Sequence, residues 1–106
     1  MKRHFRNFAT LCIVASFTSP AFAQDTAADT YTAKCKMCHG ADGVGETPVG
    51  KMAKIVSFKD PSVVKASDDE LRTIIKDGKN KMPSFADKLT DNQVNSLVTY
   101  IRTLQK

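Results

Sequence analysis

Cys35-Lys36-Met37-Cys38-His39 places two thiols three positions apart and an imidazole directly behind the second. On a helical turn such thiols can each form a thioether to one of the two vinyl groups on a haem edge. The next side chain, His39, then lies where its imidazole can reach the iron from one face. C-x-x-C-H is the pattern of c-type haem attachment. Three other chemistries share parts of this pattern. A thioredoxin-like C-x-x-C follows a strand in an α/β chain, and no segment here alternates as a strand would. A zinc site wants four ligands, and only Cys35, Cys38 and His39 are on offer beyond the leader described below. A disulfide between residues so close in sequence closes almost no loop and adds little stability.

An iron held by His39 on one face has a second face to fill. No second histidine follows residue 23, so the sulfur of a methionine is the natural candidate. Met37 sits between the cysteines and does not easily reach the opposite face. Met52 belongs to an apolar helical pattern and is expected in the core. Met82 stands in Lys81-Met82-Pro83-Ser84-Phe85, where Pro83 stiffens the loop and Phe85 offers a ring to pack. Met82 is the favoured distal ligand, with plain core packing as its alternative. A soft thioether favours ferrous iron and raises the reduction potential. Six-coordinate iron leaves no position for a substrate, so the chemistry expected is one-electron transfer.

Short helices must position these groups. Thr26 to Lys36 lacks Gly and Pro and predicts a helix running into the cysteines. Gly40 to Gly50 is glycine-rich and reads as loop. Val49 to Phe58 predicts a short helix with Met52, Ile55 and Val56 on one side, closed by Asp60-Pro61. Ser67 with Glu70, and Thr90 with Gln93, are capping boxes that open two further helices. The first carries Leu71, Ile74 and Ile75 and stops at Gly78. The second aligns Val94, Leu97, Val98, Ile101 and Leu104 in one apolar stripe. The fold class expected is all-α, with three or four short helices around one core.

Residues 1–23 read as a cleaved signal peptide. Lys2, Arg3 and Arg6 precede a ten-residue, mostly apolar run from Phe8 to Phe17, and Ala21-Phe22-Ala23 gives a small-x-small cleavage pattern. Ten residues at ~1.5 Å each span about half of a ~30 Å hydrocarbon core, too few for an anchor. The domain is then 24–106, placed in the periplasm or otherwise exported. The full chain has 106 residues and net charge +5; without the leader's three basic residues, 13 Lys+Arg face 11 Asp+Glu, a net of +2. That balance argues against a nucleic-acid binder. An 83-residue domain supplies little core of its own, and a covalently held haem would supply the missing apolar surface.

The chain resembles class I c-type cytochromes of the short cytochrome c6-like or c-553-like kind, over about Ala27 to Leu104. Cys35-Lys36-Met37-Cys38-His39-Gly40, Ala41-Asp42-Gly43, Lys81-Met82-Pro83-Ser84-Phe85 and the last helix carry the likeness. It implies one covalent haem c with iron, thioethers at Cys35 and Cys38, proximal ligation by His39 and distal ligation by Met82. It implies that the first and last helices cross closely, with Ala27 and Tyr31 meeting Leu97 and Tyr100. It also implies a hydrogen bond from the proximal histidine to a carbonyl in Thr47-Pro48. Ala27 stands where the family usually has Gly, and no Trp is present to hold a propionate; Lys51, Lys54, Tyr100 and loop backbone are the remaining candidates.

The function expected is that of a periplasmic one-electron carrier, not an enzyme. The alternative is a haem sensor or redox subunit in which a small ligand displaces Met82. Partners expected are redox proteins, a membrane donor complex and an oxidase or reductase, met by a monomer without stable membrane insertion. Lys34, Lys36, Lys51, Lys54, Lys79, Lys81 and Lys88 flank the two haem-contacting segments, either as a solvated surface or as a basic ring that steers an acidic partner.

Overall fold

The computed structural model describes residues 11–16 and 26–106. The signal-peptide reading and its cleavage after Ala23 lie largely outside the described residues, of which 11–16 form no regular element. Six helices follow in order among the described residues: α1 (Ala27–Lys34), α2 (Lys36–His39), α3 (Pro48–Ala53), α4 (Pro61–Val64), α5 (Asp68–Asp77) and α6 (Asp91–Leu104). The described residues hold no strand, only a lone bridge between Lys79 and Met82, so the all-α expectation holds. None of these helices is long and apolar enough to cross a membrane.

Capping decides where the longer helices begin. Ser67 Oγ accepts from Glu70 N at 3.1 Å while the Glu70 carboxylate accepts from Ser67 N at 3.2 Å. Thr90 and Gln93 do the same at 3.2 and 2.8 Å. A third box, Thr26 with Asp29, opens α1 and was not anticipated. Each pair satisfies two backbone donors that a helix start leaves free, worth about 1 kcal/mol per cap.

The apolar stripe of α6 is the spine of the core. Val94, Leu97, Val98 and Ile101 are all buried, against Tyr31 of α1 and Leu71 and Ile75 of α5. The expected crossing of first and last helices is present: α1 packs on α6, and the Tyr31 and Tyr100 rings lie 5.1 Å apart. Arg102 fastens the far end of α6. Its guanidinium donates to Asp68 Oδ1 at 3.0 Å, to the Val64 carbonyl at 3.3 Å and to the Ala66 carbonyl. It thereby caps α4 and anchors the entry to α5 in one contact.

Three local expectations are corrected. The first predicted helix breaks at Cys35 (φ −119°), so the cysteine segment forms its own turn, α2. The helix predicted over Val49–Phe58 ends at Ala53, because Lys54 turns left-handed (φ 55°). Met52, expected in the core, is instead 81% exposed, and Val56 on the same predicted face is 52% exposed. Asp60-Pro61 begins a helix as well as ending a segment, since Asp60 caps Ser62 N and Pro61 needs no donor at the first helical position.

Candidate haem site

The cysteine turn is built by its own backbone. Cys38 N and His39 N both donate to the Cys35 carbonyl, at 3.2 and 2.9 Å, winding the five residues into one tight coil. Gly40 (φ 81°) reverses the chain, and Gly45 N returns to the His39 carbonyl at 2.8 Å. Thr47 Oγ1 donates to the Cys38 carbonyl at 3.0 Å and accepts from Gly50 N at 2.9 Å, so the start of α3 is tied to the cysteine turn. Gly50 is required there: a Cβ would stand 2.4 Å from the Cys38 carbonyl oxygen and 2.3 Å from that of Gly45.

Cys35 and Cys38 are free thiols, both half-buried. Burial pushes the Cys35 thiol up to about 11, with Lys34 pulling it down and Cys38 pushing it up by less. His39 is half-buried, and loss of solvent lowers its imidazole below the usual histidine value, which leaves a neutral ring fit to act as a ligand. Its Nδ1 is buried without a hydrogen-bond partner, so the implied bond to a Thr47-Pro48 carbonyl is absent. The ring lies instead against Phe58, with centroids 4.7 Å apart and planes at 25°.

Met82 arrives on a separate, equally constrained loop. Lys79 N donates to the Met82 carbonyl at 3.1 Å and Met82 N to the Lys79 carbonyl at 2.9 Å, closing a four-residue turn through left-handed Asn80 (φ 53°). Beyond it, Phe85 N and Ala86 N bond the carbonyls of Ile75 and Lys76, and Ser84 Oγ also donates to Lys76. These donors satisfy carbonyls that the end of α5 leaves free. Met82 packs against the same core cluster as Cys35, and His39 meets that cluster through Phe58; Cys38 is not among the residues packed on it. Met37 and Met52 are 74% and 81% exposed.

This donor set suits a c-type haem: two free thiols on one turn, a neutral half-buried imidazole whose Nδ1 is unmatched, and a methionine partly buried against the core. Among the described residues no three His, Cys, Asp or Glu side chains converge as a metal site of their own. The Phe58 contact had no local signal in the sequence. The only hint was that Phe58 and Phe85 are the two phenylalanines remaining after residue 23.

Described residues without a strand, the first of their helices against the last, and C-x-x-C-H on the turn that follows the first give the architecture of a small class I c-type cytochrome. Residues 22–101 match the family described as cytochrome c oxidase, cbb3-type, subunit III. Cytochrome c6 of Gloeothece citriformis is 33% identical over 81% of this chain and 77% of its own length. Cytochrome c6 of Rippkaea orientalis is 37% identical over 79% and 75%. The solved structure of the KustC0563 c-type cytochrome superposes with a TM-score of 0.70 at 32% identity, covering 77% of this chain and all of its own. The chain belongs to this cytochrome c6-like family of monohaem c-type cytochromes. It is accordingly an electron-carrying haem protein with one covalent haem c, and not an enzyme.

Proposed function

We propose that residues 24–106, exported after cleavage near Ala23, form a periplasmic one-electron carrier. In this reading Cys35 and Cys38 hold the haem by thioethers, His39 is the proximal iron ligand and Met82 the distal one. The observation that carries it is the contrast among the methionines: Met82 is partly buried against the core cluster that Cys35 also meets, whereas Met37 and Met52 are exposed. The bound haem supplies a ferric–ferrous couple. Cys35 and Cys38 would hold the haem through thioethers formed by addition of each S–H to a vinyl group, which needs no oxidant. His39, neutral because burial lowers its imidazole, and Met82 would supply the iron's protein ligands, the soft thioether favouring the ferrous form.

Lys34, Lys36, Lys51, Lys54, Lys79, Lys81 and Lys88 are all exposed, and they supply a basic rim for an acidic redox partner. Only Lys51 among them pairs with a carboxylate, Glu46 at 3.6 Å, within the described residues. The matched family is named for a subunit of an oxidase, which fits redox proteins as partners.

Absorption spectra of the oxidised holoprotein test the ligand set. Met82→Ala abolishes the sulfur-to-iron charge-transfer band, while Met37→Ala and Met52→Ala keep it. A band that survives Met82→Ala, or rapid carbon monoxide binding by the reduced native protein, contradicts the carrier with fixed His/Met ligation.

A further inference from the structure

We propose that Phe58 is a positioning residue that sets the plane of the His39 imidazole by stacking on it. The inference rests on the reading of His39 as the proximal ligand and adds to it what orients the ring. A histidine ligand is ordinarily oriented by a hydrogen bond at its second nitrogen. Here that nitrogen, Nδ1, is buried without a partner, and the near-parallel Phe58 ring at 4.7 Å is the contact that fixes the plane.

Phe58 is itself held from several sides. Its N–H donates to the Gly43 carbonyl at 2.9 Å, and its carbonyl accepts from Gln105 Nε2 at 3.0 Å. Tyr31 meets it edge-on at 6.4 Å. A Cβ at Gly43 would fall 2.4 Å from Phe58 Cδ2, so the loop after the cysteine turn closes directly on the ring. With backbone, edge and face all fixed, Phe58 leaves the imidazole one orientation in which the two rings remain parallel. Generic apolar filler needs none of this alignment, and Leu would fill the site as well.

The test is proton and nitrogen magnetic resonance of the oxidised holoprotein labelled with ¹⁵N-histidine. The order of the four haem methyl shifts reports the combined orientation of the His39 plane and the Met82 sulfur, and the His39 nitrogen signals single out the imidazole. Phe58→Leu keeps apolar bulk but removes the stack, and is expected to reorder those shifts and move the His39 nitrogen signals. Phe58→Tyr keeps the ring and is expected to retain the native pattern. Gly43→Ala displaces the ring without changing it and is expected to disturb the same signals, which covers the case in which Phe58→Leu fails to take up haem. Native patterns in Phe58→Leu or, failing that variant, in Gly43→Ala overturn the proposal, as does a reordering that Phe58→Tyr shares. Failure of the ligand reading is distinguishable, because the native protein would then show no strongly shifted His39 nitrogen at all.

Discussion

The Tyr31 hydroxyl donates a 2.6 Å hydrogen bond to the carbonyl of Gly40, the residue that follows His39. Tyr31 is buried in the α1–α6 crossing and touches Phe58, so one side chain links the helix pair, the cysteine turn and the stacked ring. Burial raises its phenol well above the ordinary value, which keeps the donor proton in place. The Gly40 carbonyl also accepts from Gly43 N at 3.2 Å, so it is not orphaned when the hydroxyl is lost. Tyr31→Phe should therefore cost about 0.5–1.5 kcal/mol, the net value of one hydrogen bond, in urea unfolding of the holoprotein.

Gly50→Ala should cost more, about 1–3 kcal/mol. Both atoms its Cβ would meet closest are backbone oxygens, of Cys38 and Gly45, which cannot swing aside as a side chain would. The predicted lower melting temperature should come with altered haem absorption, because the displaced element is the cysteine turn itself.

Much of this was legible locally. The boxes at Ser67/Glu70 and Thr90/Gln93 mark the starts of α5 and α6, since capping depends on residues three apart. The stripe of α6 names its buried face for the same reason. What escaped depends on distant partners. Arg102 reaches Asp68 and the carbonyls of Val63, Val64 and Ala66, which no sequence window joins. Phe58 meets His39 across 19 positions, so the stack replaces a hydrogen bond that resemblance alone implied. Met52 had the spacing of a core residue, but the left-handed turn at Lys54 ends α3 before a buried face is established.

Asp60 gives a pH prediction away from the haem. The Ser62 hydroxyl, then the Ser62 backbone N–H, hold its carboxyl below the usual aspartate value. A carboxyl lowered on folding contributes stability above its unfolded value, and that stability is lost as pH falls through the folded value. Ser62→Ala should move the Asp60 titration up toward the ordinary value and start acid unfolding at higher pH. Carbon-13 titration of the Asp60 carboxyl checks the first, and circular dichroism against pH the second.

Electron delivery to an acidic acceptor should slow as salt rises, on the order of tenfold from low to high ionic strength. With 13 Lys+Arg against 11 Asp+Glu over residues 24–106, such steering depends on where the lysines sit and not on their number. Stopped-flow rates against ionic strength measure it; a flat profile removes the basic rim from the account.

Tandem mass spectrometry of the peptide spanning Cys35 to His39 in the exported protein tests the assigned attachment most directly. The account predicts one porphyrin carried on that peptide through both sulfurs, with no alkylatable thiol left. The same peptide recovered at its bare mass, with both cysteines open to alkylation, would contradict it.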